Sequence, residues 1–504
     1  MSLAARTKNA IKWSAIGTIA RYGLQLGAQI VLARLLGADS YGLFAMGMIV
    51  MTFSNFLADF GFAWGLVQNQ NLREEDIRFA FTWQLIFGSV VAVGVYLLAP
   101  TVAAYFNEPR LELIVRWLSL ACVINAVSTP STNLLRRNLD FRTINIIQVS
   151  SYTIGYLLIG VPLAFSGAGV WSLVAAWLSQ AVCGLVFTLV RRPHSVRPLF
   201  WYDGASALSG IGFTVFVTNI LNWFLNNIDR VLLGRFLNAQ AVGLYSVGYN
   251  LAITPNAFFL GALQPAFLSA GAKLQTEPGR LRAAYLSVIG LVWVLITPMF
   301  VMFAMLADDL VALLYGPKWV FSGQVLFTLA LAMPAYITWG MSTPILWNTN
   351  RKHFESLLQL PILLLAGAAF YALASQGVAM VALIAAASLW ARAIVIMSAA
   401  CFQLKFGISD LLPFALRGLL MSLVAVVGTY AGLALSHAVG ANHLLTLTLT
   451  GLFGSGLLIA VVVACPDILG RAVLDMLMRF SPAQFRPIIS KLTPKFRQGA
   501  MKDA

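Results

Sequence analysis

The stretch RLLGADSYGLFAMG, residues 34–47, recurs about 200 residues later as RFLNAQAVGLYSVG, residues 235–248. The two stretches align without a gap. Their identical pairs are Arg34/Arg235, Leu36/Leu237, Ala38/Ala239, Gly42/Gly243, Leu43/Leu244 and Gly47/Gly248. Internal duplication of membrane helices is how many secondary transporters are built. The repeat therefore predicts a duplicated helical fold and favours transport over catalysis.

Polar residues are repeated together with the apolar ones. In each copy three of them are spaced four residues apart, which places them on one face of a helix. The aligned positions are Arg21/Asn222, Gln25/Asn226, Gln29/Arg230 and, further along, Asn55/Asn256. The repeat thus predicts two equivalent membrane helices that each carry a polar stripe.

The composition predicts an all-α integral membrane protein. Of its 504 residues, 60% are hydrophobic and only 10% are charged, and the mean hydropathy is +0.83. Soluble domains carry about 25% charged residues. Apolar runs near the roughly 20 residues that a spanning helix needs predict about fourteen spans. They are 13–36, 42–66, 79–100, 112–133, 144–165, 170–190, 210–235, 243–268, 284–306, 320–346, 356–374, 378–400, 411–435 and 444–464.

Basic residues orient these spans. The N-terminal tail holds Arg6, Lys8 and Lys12, and every second loop is again basic, whereas the opposite loops hold few basic residues. By the positive-inside rule, both termini are predicted to be cytoplasmic. The net charge of +15 is therefore mainly a topology signal. Because the basic residues are dispersed over loops, a nucleic-acid partner is not expected.

The repeat also predicts the domain organisation. Residues 1–200 form an N-terminal lobe of spans 1–6, and residues 201–405 form a C-terminal lobe of spans 7–12. Because six is even, both lobes enter the membrane in the same direction, which predicts a pseudo-twofold axis along the membrane normal. Residues 406–465 add two extra C-terminal helices. Residues 466–504 form an amphipathic, basic cytoplasmic tail that is expected to lie near anionic lipid.

Polar residues at membrane depth predict a substrate cavity. An ionisable side chain at the bilayer centre costs about 2.5–3.5 kcal/mol, so such residues usually face a bundle interior or a wet cavity. The candidate cavity residues are Arg21, Gln25, Gln29, Asn55, Asn222, Asn226, Arg230 and Arg392. Guanidinium groups suit phosphate and carboxylate oxygens. The cavity is therefore predicted to bind an anionic substrate, such as a lipid pyrophosphate or an acidic sugar chain.

Two carboxylates, Asp59 and Asp229, are the candidates for coupling to a proton or sodium ion. The competing interpretation is structural, because an internal Arg–Asp pair would also hold two helices together. Arg34 and Arg235, at helix ends, are explained by snorkelling to the interface. Gly23 and Gly27 have a spacing typical of close helix packing.

No metal site, cofactor or disulfide is expected. The cysteines are far apart in sequence and show no CxxC spacing, and the histidines fall in loops or at helix ends. The residues concerned are Cys122, Cys183, Cys401, Cys465, His194, His353, His437 and His443.

Several motifs together resemble the polysaccharide-transporter (Wzx-type oligosaccharide flippase) family, in the branch that serves exopolysaccharide export. This family belongs to the MOP superfamily, with the MATE multidrug antiporters and the lipid II flippase MurJ. The resembling stretches are LLGADSYGLF at 35–44, DFGF at 59–62, GLVQ at 65–68, RRNLDFR at 136–142, GAGVWSLV at 167–174, NNIDRVLLGR at 226–235 and GLY at 243–245.

The resemblance implies a flippase, not an enzyme, in the bacterial inner membrane. It would move undecaprenyl-pyrophosphate-linked oligosaccharide repeat units to the periplasmic leaflet for exopolysaccharide or lipopolysaccharide assembly. The resemblance also implies alternating access of the lobes, driven by an H+ or Na+ gradient. Polymerase or export proteins would be its partners.

Two other classes stay open. A MATE-like multidrug or cation antiporter would usually have twelve helices and carboxylates in its cavity. A polytopic glycosyltransferase or polymerase would need a larger external loop than the sequence predicts.

Overall fold

The computed structural model describes residues 3–59, 66, 72–202, 205–274, 277–349, 351–470 and 473–474. Over those residues all regular secondary structure is helical, and no β-strand occurs. The prediction of an all-α membrane fold is therefore confirmed. The first seven helices are α1 (Leu3–Asp59), α2 (Glu74–Tyr105), α3 (Arg110–Arg137), α4 (Phe141–Tyr152), α5 (Val161–Phe165), α6 (Val170–Arg191) and α7 (Ala205–Phe236).

The remaining helices follow with short connections. They are α8 (Ala239–Lys273), α9 (Pro278–Leu291), α10 (Thr297–Met305), α11 (Ala307–Tyr315), α12 (Val320–Asn348), α13 (Lys352–Leu373), α14 (Val378–Gln403), α15 (Leu412–Ala438) and α16 (His443–Ala464). In the described part of the chain, 11 helical segments are long and apolar enough to cross a membrane. One of them, Ala20–Ala58, overlaps the first two predicted spans. Helices α7 and α8 cover the seventh and eighth predicted spans.

The helix breaks at the same aligned position in both copies of the repeat. In the first copy Gly37 adopts φ 79° and interrupts α1, a conformation that glycine accepts without steric cost. In the second copy the aligned residue is Asn238, whose side-chain oxygen accepts a hydrogen bond of 2.9 Å from the backbone N–H of Ala241. That contact caps the start of α8.

Two membrane segments contain wide π-helical turns. Thr153–Gly160 joins α4 to α5, and Val292–Ile296 joins α9 to α10. A proline, Pro162 or Pro298, lies just after each turn. Proline cannot donate a backbone hydrogen bond and its ring displaces the preceding turn, so the wide turn keeps each segment continuous.

The chain folds into two compact units. The first comprises Met1–Ser246 with Phe370–Val378, and in it α1 packs against α2, α3, α4 and α7. Gly23 and Gly27, predicted to allow close helix packing, have no described atom within 4 Å of a Cβ atom built on them. That prediction is wrong at these two positions.

The second unit comprises Val247–Ala369 with Ala379–Ala504. The two added helices pack on each other through small residues, with Gly428 against Gly454 and Gly432 against Thr450. The beginning of the predicted surface tail is buried, since Leu469, Val473 and Leu474 belong to an apolar cluster with Val294 and Met421. The tail residues 475–504 lie outside the described residues.

Candidate functional site

The polar stripe on the first half of α1 faces α4. A guanidinium nitrogen of Arg21, Nη1, donates a hydrogen bond of 2.9 Å to Oε1 of Gln148. Arg21, Gln25 and Gln29 are all half-buried. Gln148 was not among the predicted site residues. Its amide within a predicted span was the available signal.

The second half of α1 carries a polar contact with α3 and another with α7. The Asn125 amide donates to Oδ1 of Asn55 at 3.3 Å. One turn away, the indole N–H of Trp223 donates to the hydroxyl of Thr52 at 3.0 Å, and its ring lies 4.8 Å from that of Phe53. The repeated helices α1 and α7 therefore contact each other beside the polar residues that the repeat predicted.

Asp229 on α7 is buried, and both of its carboxylate oxygens accept hydrogen bonds. The hydroxyl of Tyr245, on α8, donates to Oδ2 of Asp229 at 2.6 Å, and the backbone N–H of Arg230 donates to Oδ1 at 2.8 Å. The guanidinium of Arg230 lies 3.8 Å from Oδ1 and donates to the carbonyl of Asn226 at 3.1 Å. The Arg–Asp pair thus forms within one helix, whereas Tyr245 is the group that links two helices through Asp229.

Arg392, the remaining predicted cavity residue, lies in the second unit within a buried polar cluster. Its Nε donates to Oε1 of Gln359 at 3.0 Å, and its guanidinium lies 4.3 Å from the centroid of the Trp339 ring. The Gln359 amide donates to the carbonyl of Glu355 at 3.2 Å. The indole of Trp347 donates to the Glu355 carboxylate at 2.7 Å.

The sequence analysis did not find Glu355 or Gln359. The predicted span began at residue 356, so Glu355 was assigned to a loop, although it is only 4% exposed. The four-residue spacing of Glu355 and Gln359 on one helix face was the signal that could have found them. Together with Arg392 they form the buried charged site of the second unit.

The structure therefore brings the predicted residues into separate contacts. Arg21 contacts Gln148, Asn55 contacts Asn125, and Arg230 contacts Asp229 and Asn226. Asn222 is half-buried on α7, and the side chain of Asp59, at the end of α1, lies outside the described residues. No group of three or more metal-ligating side chains occurs among the residues that the structure describes.

A second charged group lies beside the helix break at Gly37. Arg110 bridges two carboxylates, with 2.8 Å from its Nη1 to Asp39 and 2.7 Å from its Nε to Glu108. The hydrogen bond from Arg110 lowers the pKa of the Glu108 carboxyl below its usual value. In the same unit, Arg235 donates to the carbonyl of Tyr105 at 2.7 Å.

The repeated glycines Gly42 and Gly243 meet backbone to backbone. A Cβ atom built on Gly42 would overlap the carbonyl oxygen of Ala239, and one on Gly243 would overlap that of Ala38. Ala38 and Ala239 are themselves an aligned pair of the repeat. The contact is thus reciprocal, and α1 and α8 cross here at a distance that only glycine permits.

Residues 31–323 match the family described as Polysaccharide biosynthesis protein, which is more than half of the 504 residues. The chain belongs to the polysaccharide biosynthesis protein family. The resemblance drawn from the motifs is thereby confirmed. The family match begins just before the first repeated stretch and includes the second one.

Two relatives align with this family member over most of its length. The lipopolysaccharide biosynthesis protein WzxC of Escherichia coli K12 is 28% identical over 325 residues, 63% of this chain and 65% of WzxC. The succinoglycan biosynthesis transport protein ExoT of Rhizobium meliloti is 26% identical over 326 residues, 65% of this chain and 66% of ExoT. The aligned part therefore spans just under two thirds of each relative.

Two solved structures share the fold of this family member. The lipid II flippase MurJ, in an inward closed conformation, matches with a TM-score of 0.70 at 13% identity, over 89% of this chain and 97% of MurJ. An inward-facing MATE family multidrug resistance transporter of the MOP superfamily matches with a TM-score of 0.63 at 15% identity, over 79% of this chain and 98% of the transporter. The polysaccharide biosynthesis protein therefore shares the fold of MurJ and of this MATE transporter.

Proposed function

We propose that this protein is a flippase of the bacterial inner membrane. Its substrate would be an undecaprenyl-pyrophosphate-linked oligosaccharide repeat unit, which it moves from the cytoplasmic to the periplasmic leaflet. A polymerase and export machinery would then use the unit in exopolysaccharide or lipopolysaccharide assembly. The protein carries out no covalent chemistry in this role.

The repeated polar faces of α1 and α7 are the observation that carries the proposal. Arg21 and Arg230 supply guanidinium groups for pyrophosphate oxygens, and the neighbouring amides can hydrogen-bond sugar hydroxyl groups. These amides belong to Gln25, Gln29, Asn55, Asn222 and Asn226. Keeping such groups within apolar helices is costly unless protein partners, a polar ligand or water meet them.

The proposed transport cycle is alternating access of two lobes, residues 1–200 and residues 201–405. Residues 406–465 are an addition to the second lobe. The backbone crossing of Gly42 and Gly243 supports it, because both residues lie at the predicted periplasmic ends of their helices. Release into the periplasmic leaflet then requires α1 and α8 to separate at this crossing. Because backbone atoms at two glycines form this crossing, α1 and α8 can separate there without breaking an ion pair.

Coupling to an H+ or Na+ gradient is proposed to use Asp59 and Asp229. The Asp229 carboxylate accepts two hydrogen bonds, from Tyr245 and the Arg230 backbone. Cation binding there would compete with these donors. Loss of gradient-dependent transport in Asp59→Asn and Asp229→Asn variants, with substrate binding retained, is the expected result.

The experiment is a gene deletion complemented with variants at equal protein level. Secreted polymer is measured together with the leaflet in which lipid-linked oligosaccharide accumulates. Arg21→Ala and Arg230→Ala should abolish polymer and trap intermediates in the cytoplasmic leaflet. Arg34→Ala, which changes an exposed arginine on the same helix as Arg21, is the matched control and should retain polymer.

Normal polymer export from both Arg21→Ala and Arg230→Ala strains would exclude the cavity. Intact polymer in the deletion strain, with raised sensitivity to cationic drugs, would instead favour the multidrug antiporter class. MurJ and a MATE transporter both match the fold. The architecture therefore does not distinguish a flippase from a multidrug antiporter, whereas this assay does.

A further inference from the structure

The segment that connects the two repeat copies lies extended along the beginning of α2. We define this connecting strap as residues 192–202. The guanidinium of Arg78 donates to the carbonyls of Arg197 and Pro198, each at 3.2 Å. The backbone N–H of Leu199 donates to Thr82 at 2.9 Å. The strap backbone is thus pinned to one face of a membrane helix.

Further contacts fix both ends of the connecting strap. The indole of Trp83 donates to the carbonyl of Phe200 at 3.0 Å, and the Tyr202 hydroxyl donates to Asp76. At the other end, the hydroxyl of Ser131 donates to the carbonyl of Arg192 at 2.6 Å. Because the backbone polar groups are satisfied from α2 and α3, the strap presents a defined outer surface.

The connecting strap has an inner and an outer face. Leu199 and Tyr202 pack inward on the apolar cluster around Phe79. Three large apolar side chains are mostly exposed instead, although the ring centroid of one of them, Trp201, lies 6.4 Å from that of Phe79. They are Val196, Phe200 and Trp201, which are 64%, 60% and 67% exposed. An outward group of this kind, next to membrane spans, needs an apolar environment outside the protein.

Unpaired arginines flank these apolar groups. Arg191, Arg192 and Arg197 are exposed, and none of them forms a salt bridge with another residue that the structure describes. Residues 191–202 contain no acidic residue. α2 begins with three acidic residues, Glu74, Glu75 and Asp76. Of these, Glu75 and Asp76 lie near the opposite end of the strap, where Asp76 accepts the hydrogen bond from Tyr202.

Two arginines at the start of α9 behave differently. Arg280 pairs with Glu277 at 2.8 Å, and Arg282 pairs with Asp410 at 2.6 Å. Their charges are neutralised within the protein, whereas the charges of the strap remain available to an external anion. This contrast makes Arg280 a matched control for the strap arginines.

The position of the connecting strap identifies the environment. It begins where the span Val170–Arg191 ends and lies against the start of the span Glu74–Tyr105, so it sits where hydrocarbon gives way to headgroups. Tryptophan is enriched at that level of a membrane, and arginines there attract anionic lipid. The aromatic pair Phe200 and Trp201 suits contact with lipid acyl chains, and the adjacent arginines suit contact with lipid phosphate groups at the membrane surface.

We propose that the connecting strap is a docking surface for anionic phospholipid. Phe200 and Trp201 contact the upper acyl chains, and Arg192 and Arg197 bind the phosphate-bearing headgroup. The lipid thereby holds the joint between the repeat copies at the membrane interface. This role does not depend on which molecule the protein transports.

The test uses the full-length protein without native cysteines, carrying Val196→Cys labelled with an environment-sensitive fluorophore. The protein is reconstituted in vesicles containing either brominated phosphatidylglycerol or brominated phosphatidylcholine, and quenching of the label is measured. We expect apparent association with phosphatidylglycerol to be about 25-fold stronger, about fivefold for each of Arg192 and Arg197 acting near an anionic surface. Arg192→Gln/Arg197→Gln should reduce the ratio to about one, and Arg280→Gln should leave it unchanged.

Three results would overturn the proposal. Equal quenching by both lipids would mean membrane contact without headgroup preference. Absence of quenching by either lipid would place the strap in water. Protection of the label in native membranes but not in lipid vesicles would indicate a protein partner. Thermal unfolding of each labelled variant ensures that the comparison is made on folded protein.

Discussion

Gly42 packs against the residue four positions before Gly243, and Gly243 packs against the residue four positions before Gly42. The obstacles to a side chain at either position are backbone oxygens, those of Ala239 and Ala38. A backbone oxygen cannot move aside as a flexible side chain can. The crossing of α1 and α8 therefore has little room for even one methyl group.

Gly42→Ala and Gly243→Ala should each lower the free energy of unfolding by about 1–3 kcal/mol, the usual cost of overpacking. The measurement is thermal unfolding of the purified protein in detergent, followed by tryptophan fluorescence. Gly27→Ala is the matched control, because a Cβ atom there meets no described atom within 4 Å. It should be neutral or stabilising by about 0.5–1 kcal/mol. A Gly42→Ala protein as stable as the Gly27→Ala protein would contradict the close crossing.

Tyr245→Phe should destabilise the link between α7 and α8. The substitution removes the hydroxyl that donates to buried Asp229 and leaves a carboxylate oxygen without that partner, at a cost of about 1–3 kcal/mol. Tyr430→Phe, at a side chain that is 68% exposed, should change stability by less than about 0.5 kcal/mol. Denaturant unfolding in detergent compares the two. Equal effects would mean that the Tyr245 contact stabilises nothing.

The Arg392 cluster should behave as a coupled unit. Glu355→Gln or Arg392→Met alone leaves a buried charge without its compensating partner, which costs about 3–5 kcal/mol. The double variant removes both charges and should cost less than the sum of the single variants. A double-mutant cycle on unfolding free energies measures this difference. Strictly additive costs would show that the two charges do not interact.

The connecting strap should loosen at acidic pH through His194. Burial lowers the pKa of this imidazole below its ordinary value, its Nδ1 lies 2.7 Å from the Ser131 hydroxyl, and its Nε2 has no hydrogen-bond partner among the described residues. Packing of the strap against α2 and α3 therefore requires neutral His194. This packing is fully stable above the ordinary imidazole pKa of about 6.5 and weakens as the pH falls below that value.

A spin label at Val196→Cys reports this change as increased mobility between pH 7.5 and pH 5. His194→Gln removes the titrating group, so its mobility should vary little with pH. An identical rise in mobility in the His194→Gln protein would assign the effect to another group.

Sequence patterns predicted the fold because hydropathy and repeat similarity are averaged over many residues. A run of apolar residues predicts a span whatever its neighbours are, and the aligned pairs of the repeat predicted the duplicated fold. Partners across helices are a different matter. Nothing in the spacing on α1 or α2 indicates that Arg21 contacts Gln148, or that Arg78 holds residues 197 and 198.

Glu355 shows the same limit at a span boundary. Hydropathy places an acidic residue outside the membrane segment, yet Trp347 and Thr343 supply donors to its carboxylate. Those donors come from the preceding helix, so only the folded structure offsets the cost of burial. The glycines at 23 and 27 show the converse, because a suitable spacing does not create a neighbouring helix.

The contact between Gly42 and Gly243 has the form of an isologous subunit interface, in which residue i touches residue j of a twin and j touches i. Within this single chain, the same surface of each repeat copy thus packs against its counterpart in the other copy. In a true isologous dimer one substitution alters both sides of the interface together, whereas here each side can change alone. The helix break formed by Gly37 in one copy and by Asn238 in the other is an instance of that independence.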